Sequence, residues 1–181
     1  MKNLVFDTEK SLNAILYIAS KLKRKDIHKI FKILYFSDRN HLAKYGRTIT
    51  GDTYIKMEAG PVPSNIYDII KAVRGDSFFT PYGKKYAEKF TIEANCLIKP
   101  TKEANLDYLS LTDIKEIDAV IAQYGEMSFA QLKMASHDFA WSNSKDNEEI
   151  SFEDLLRETG EDEEFISYLK ELNDAHQYIC S

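Results

Sequence analysis

The chain has 181 residues, 44% of them hydrophobic and 12% aromatic, which is enough apolar mass for one buried core with a short appendage. A formal charge of -5 argues against broad attraction to polyphosphate and leaves only a local basic face as a route to nucleic acid. Cys96 and Cys180 match no metal or redox spacing, MKNLVFDTEKSL lacks a continuous apolar stretch with a cleavage site, and no run reaches membrane-spanning length, so the expectation is a non-secreted, cytoplasmic protein.

After Asp7, the residues Leu12, Ile15, Leu16, Ala19 and Leu22 recur at helical spacing, and the stripe ends in the cationic KLKRK. A second helix is expected from Ile27 to Tyr45, capped by Asp26 and stopped by Gly46. Ile27, Ile30, Phe31 and Leu34 share one face while Ile33 and Phe36 occupy others, so this helix belongs at the centre of the fold. DTYIKM alternates and reads as a short strand, and GPVPS then forbids continuation of either period. Ser64 is the expected cap of a helix with Ile66, Ile69, Ile70 and Val73 on one face. Residues from Phe78 to Lys99 read as a small antiparallel ribbon, with turn signals at Pro81-Tyr82-Gly83 and Ala94-Asn95.

The second half is helical. Thr112 is expected to open a helix with Ile114, Ile117, Val120, Ile121 and Tyr124 inward, closed by Gly125. Ser128 and Gln131 form a capping box, with Met127 able to staple onto Leu132, and Ser151 with Asp154 repeats the device more weakly. A last amphipathic segment, Asp162 to Ile179, aligns Phe165, Tyr168, Leu169, Leu172, His176 and Ile179 behind the acidic GEDEE. The expected fold is mainly α (α+β): a compact helical domain of about six to seven helices over residues 1–160, with a small antiparallel β-sheet inserted at about 48–100. Residues 161–181 are expected as an acidic C-terminal amphipathic helix packed on the same domain.

Several stretches offer chemistry. GRTITGDT has the glycine spacing of a phosphate-binding loop, but it follows a helix and places Asp52 where that loop needs its lysine, so Gly46 and Gly51 read as turn glycines. Asp38 and His41 continue the apolar stripe of the second helix and are expected half-buried on one face. They could be an acid–base pair or metal ligands completed by His137 and Asp138, or else a buried network that fixes helix packing. No established metal spacing is present, and no cofactor is indicated. The basic run Lys21, Lys23, Arg24, Lys25, Lys29 and Lys32 straddles the first inter-helix turn, which makes a helix-turn-helix reader conceivable, although the second helix is too apolar for a DNA groove. Trp141 is either a plug closing the last loop or an anchor at a partner interface.

Together KILYFSDRNHLAKYGRTITGDTYIKMEAGPVPSNIYDII and the later YGEMSFAQLKMASHDFAW resemble the Panacea domain, the SocA-like antitoxin family once known from phage-associated proteins. The resemblance runs in order over roughly residues 10–157. It implies a mainly helical domain with a small β element, found in bacteria and their phages, whose members neutralise unrelated toxins by direct binding as type II antitoxins. The characteristic residues carried over are Tyr35, Asp38, His41, Leu42, Tyr45, Gly46, Ile49, Gly51, Asp52, Gly60, Pro61, Val62, Pro63, Tyr67, His137 and Trp141, none with a catalytic role to transfer. Ala59 stands where the family often has an aromatic residue, and the acidic helix lies beyond the usual domain. The implied function is therefore a non-enzymatic module that binds a cognate toxin protein. Its partner contacts are expected at the basic turn, the ribbon and the helix face of Phe165, Leu169 and Leu172, which would dock in a groove or else pack on the domain. The alternatives from other classes are an enzyme or metal protein built on Asp38 and His41, a proteolytic adaptor, and a DNA-binding regulator.

Overall fold

A computed structural model describes residues 5–76 and 83–180, with side-chain surroundings given for 5–76 and 85–172. In chain order the elements are α1 (Thr8–Lys21), α2 (Ile27–Tyr45), β1 (Tyr54–Ile55), β2 (Val62–Pro63), α3 (Ser64–Arg74), α4 (Gly83–Ala87), β3 (Phe90–Glu93) and β4 (Leu97–Pro100). A 3-10 turn (Leu106–Tyr108) leads into α5 (Leu111–Tyr124), α6 (Phe129–Ser136), α7 (Phe139–Asn143), α8 (Phe152–Glu158) and α9 (Glu163–Cys180). The class is mainly α with a small β part. Among the described residues it has nine helices, more than the periodicity predicted, because five-residue helices such as α4 and α7 are too short to show a period.

Helix α2 is the axis of the domain, as its all-round apolar sequence requires. Ile30, Ile33, Leu34, Tyr35 and Phe36 have no exposed surface, and α1, α5, α6 and α8 pack around them. Each such burial contributes about 1.5–3 kcal/mol. The ends of α2 follow local rules: Asp26 accepts a hydrogen bond from the Lys29 N–H at 2.9 Å, and Gly46 ends the helix with φ 67° in the left-handed region.

The β part is two separate ribbons instead of one inserted sheet. β1 and β2 pair antiparallel, with Tyr54 opposite Pro63 and Ile55 opposite Val62. GPVPS therefore supplies a strand as well as a connector, contrary to the sequence expectation. Pro63 is tolerated because β2 is an edge, and the other side of β1 is bonded to residues 147–150, where the Ile150 N–H donates to Tyr54 O at 2.8 Å. β3 and β4 form the second ribbon, and Ala94 and Asn95 turn it with positive φ. Phe78, Pro81 and Tyr82, also assigned to this ribbon by sequence, lie outside the described residues.

Two caps differ from expectation. Helix α5 opens at Ser110, whose side chain exchanges a capping box with Asp113, and Thr112 lies inside the first turn. Helix α3 has Pro63 at its N-cap with no side-chain cap of its own, so Ser64 does not serve. The box of Ser128 with Gln131 forms as predicted, whereas at Ser151 the side chain accepts from the Asp154 N–H without the reciprocal bond of a full box.

Candidate functional site

Asp38 is fully buried, not half-buried, and its carboxylate is saturated by the loop after α2. Oδ1 accepts from the N–H groups of Ile49 (2.7 Å) and Thr50 (3.0 Å), while Oδ2 accepts from the hydroxyls of Thr50 (2.5 Å) and Tyr54 (2.8 Å). Burial pushes the Asp38 carboxyl up from its ordinary value, and these four donors pull the other way. Four acceptor sites filled by four donors leave no free carboxylate oxygen for acid–base work.

His41, also fully buried, turns to different partners. Its Nδ1–H donates to the Arg47 carbonyl at 2.8 Å, and Nε2 meets Thr112 Oγ1 at 3.0 Å and Asp113 Oδ1 at 3.1 Å. Asp113 also receives Lys10 Nζ at 2.7 Å and Arg47 Nη2 at 2.9 Å. Burial alone would raise its carboxyl, but hydrogen bonds from His41, Lys10 and the Ser110 N–H hold it well below the usual carboxylate range. Asp38 and His41 thus fasten two parts of one loop to α2 and are not a dyad.

Asp52 completes the fastening. Its Oδ1 accepts from the Asn65 N–H at 3.0 Å and its Oδ2 from the Ile66 N–H at 2.9 Å, so it caps α3 from the preceding loop. The carboxylate at the phosphate-loop position is here a helix cap. Gly51, with φ 67°, lets the loop pass the chain at Val5, since a Cβ there would come 2.3 Å from the Val5 carbonyl oxygen.

The tip of the β1–β2 hairpin is held from two sides, by His28 and Lys32 one turn apart on α2 and by His137, the C-cap of α6, with Trp141 of α7. From α2, His28 Nε2–H donates to Ala59 O at 3.1 Å and Lys32 Nζ to Pro61 O at 2.6 Å. His137 reaches the Glu58 carbonyl, and Trp141 Nε1–H donates to Met57 O at 3.0 Å. His137 and Trp141 stack 3.6 Å apart at 5°, and Lys56 Nζ lies 4.4 Å from the centroid of the Trp141 ring. Gly60 is required here: with φ 94°, its added Cβ would strike Ser136 Oγ at 2.3 Å and crowd the Lys32 side chain. Burial pushes Lys32 down to about 7. The i, i+4 pairings of His28 with Lys32 and of His137 with Trp141 were visible in the sequence, but their shared target was not.

Of the remaining signature residues, Tyr35 donates to Asp138 at 2.8 Å, Tyr45 packs 4.5 Å from the His41 ring, and Tyr67 meets Phe31 edge-on at 6.0 Å. Asp138 also pairs with Arg39 at 2.8 Å and caps α7 at the Trp141 N–H. It lies with Tyr35, not with Asp38. Among the described residues, no group of three or more His, Cys, Asp or Glu is placed to hold a metal ion, and no helix is long and apolar enough to cross a membrane.

The expected contact surfaces fare unequally. The basic run is divided: Lys29 and Lys32 are buried, with Lys29 Nζ donating to Gly125 O at 2.7 Å, so the six cations of the run do not form one continuous face. On α9, Leu169 is 3% exposed and both Phe165 and Leu172 are partly buried against the core, so this face is occupied by the domain itself. Leu169 packs beside Gly46, where an added Cβ would lie 3.1 Å from Leu169 Cδ2. His176 and Ile179 lie outside the residues whose side chains are described. The large apolar side chains left exposed include Phe129, Met134, Leu106, Tyr108 and Leu111.

These features define a mainly helical scaffold whose characteristic polar residues are spent on holding one loop and one hairpin against a central helix. The family model described as "Antitoxin SocA-like, Panacea domain" matches residues 30–142, and the chain belongs to that family. The match begins in α2 and ends at α7, which encloses both fastened segments. Neither the curated proteins nor the solved structures contain a match to the chain.

Proposed function

We propose that this protein is an antitoxin that neutralises a cognate toxin protein by direct binding, in the manner of a type II system, in the cytoplasm. The observation that carries this reading is its membership of the SocA-like antitoxin family over residues 30–142. The burial of Asp38, His41 and Asp52 at 0%, 0% and 3% exposure supports a non-enzymatic role, because the groups best suited to chemistry are consumed in intramolecular bonds. In this reading residues 1–160 form the scaffold with its β insertion, and 161–181 extend it by a helix docked on the same core. Partner contacts fall chiefly to surface side chains, since Tyr35, Asp38, His41, Leu42, Ile49 and Asp52 are buried, while Tyr45, Tyr67, His137 and Trp141 keep part of their surface exposed. Co-expression with the product of the neighbouring gene tests the reading. The expected outcome is growth arrest by that product alone, relief by this protein, and co-purification of the two; a harmless neighbour, or a toxic one that this protein neither binds nor relieves, overturns it.

A further inference from the structure

A groove of about 700 Å³ lies between the end of α1, the β3–β4 ribbon and the segment that leads to the 3-10 turn. Its floor is apolar, formed by Leu16, Leu97, Ile98 and Leu106. Its rim carries five cations, Lys23, Arg24, Lys25, Lys99 and Lys102, against the two acids Glu93 and Glu103. That balance runs opposite to the -5 of the whole chain. The apolar surface continues past the groove, where Leu106, Tyr108 and Leu111 are 49%, 44% and 86% exposed.

We infer that this groove is the docking surface for an acidic amphipathic segment of a partner protein, its apolar face on the Leu/Ile floor and its carboxylates against the lysine rim. The inference rests on the antitoxin reading for the identity of that partner, the toxin, and on the groove alone for its chemistry. Four of the five rim cations already face a carboxylate, Lys23 on Glu126, Arg24 on Asp26 at 3.4 Å, Lys99 on Glu93 at 2.6 Å and Lys102 on Glu88 at 3.8 Å, but every one of these cations has its side chain more than half exposed. Lys25 makes no side-chain hydrogen bond or ion pair among the described residues, and Lys23 is joined only to Glu126 at 3.1 Å, with both side chains more than 80% exposed. Such exposed pairs hold little energy and yield readily to a carboxylate brought in on a complementary surface. A nucleic acid fits less well. The lining offers one arginine, no amide side chain to read base edges and no aromatic ring to stack a base, and a leucine floor gains nothing from a phosphate backbone.

Two arms test this with the full chain. In the first, the isotopically labelled protein is titrated by NMR with a synthetic helical peptide bearing Leu on one face and Glu on the other, beside the same peptide with Lys for Glu, and oligo-dT. Shifts confined to Ser20–Lys25 and Leu97–Leu106, seen only with the acidic peptide and weakened about tenfold at low salt by Lys25→Glu with Lys102→Glu, support the groove. Shifts elsewhere, equal binding of the Lys peptide, displacement by oligo-dT, or self-association of the chain through this face overturn it. In the second arm the double charge reversal is compared with wild type in toxin neutralisation, at unchanged melting temperature. Neutralisation that survives the reversal, and also survives Leu106→Asp, overturns the groove while leaving the antitoxin reading intact. If wild type neither binds nor neutralises the neighbouring product, the antitoxin reading fails, and the peptide titration alone decides the groove.

Discussion

Asp38 and Lys32 lie on the same helix and have no exposed surface, yet their surroundings are unlike. Around Asp38, four neutral donors from Ile49, Thr50 and Tyr54 fill the carboxylate, and the loop that supplies them runs on to Asp52 and the start of α3. Around Lys32, one carbonyl, that of Pro61, accepts from the ammonium, and two other side chains at the same hairpin tip, His28 and His137, each leave a buried ring nitrogen without a partner. A saturated charge ties its region down at any pH at which it is ionised. An under-satisfied one makes its region depend on the proton. The hairpin side of α2 is therefore a conditional anchor, while the loop side is held by a carboxylate whose acceptor sites are all filled.

The comparison is broken most directly at Asp38. Alanine there orphans the N–H groups of Ile49 and Thr50 and two hydroxyls at once, so Asp38→Ala is expected to lose about 3–5 kcal/mol in urea unfolding, whereas Thr50→Val, which removes one donor, should lose less. A loss below about 1 kcal/mol would show that the loop is held by packing and not by this carboxylate.

Lys32 should behave in the opposite sense. With a folded value near 7 against an ordinary 10.5, the unfolded chain binds more protons than the folded one between those limits, so stability rises with pH across that window. Below about 7 both states carry the proton, and the folded chain bears the whole cost of burying the cation. His28 and His137, both pushed down chiefly by burial, add a rise in the same direction below the ordinary imidazole value. Lys32→Met should therefore stabilise the protein by about 1–3 kcal/mol at pH 7, after the unpaired Pro61 carbonyl is counted, and should flatten stability between pH 7 and 10. Denaturant midpoints over that range decide it, and a destabilised Met variant with the slope intact would refute the conditional anchor.

Asp52→Ala cuts the chain of contacts one step beyond Asp38. It removes a cap supplied by a neighbouring loop, with an expected cost of about 1–2 kcal/mol. The change should appear as faster amide exchange at Asn65 and Ile66 while α5 is undisturbed.

The legible parts of this fold were those whose cause lies within a few residues. Asp26, Gly46 and the box at Ser128 act through their own backbone neighbours, so the residue type carries the structure. Ser110 and Thr112 are both hydroxyls suited to capping, and choosing between them requires knowing that Thr112 Oγ1 meets His41 from another helix. The residue type marks Asp52 as hostile to phosphate, but its donors Asn65 and Ile66 belong to the next helix, beyond any local pattern. Lys32 was read as one member of a basic run because its acceptor, Pro61, arrives only when the hairpin folds against α2. The Phe165, Leu169 and Leu172 stripe was legible as an apolar face, but periodicity does not say whether a face meets its own core or another protein.

The smallest expected effect bears on what the hairpin is for. Pro61 precedes the short β2 strand and Pro63 is its second residue, and replacing either with alanine keeps the main-chain carbonyl at 61 for Lys32 and the β1–β2 register while loosening the unfolded chain, for an expected loss of about 0.5–1 kcal/mol each. If the hairpin is scaffold, the double variant melts earlier and still binds the toxin with wild-type affinity once measured below its melting range. Unchanged melting with lost binding would move the hairpin tip, with Met57 and Glu58 exposed at its turn, from the conditional anchor to the contact surface itself, and would make the protonation of Lys32 a control on partner binding instead of on stability.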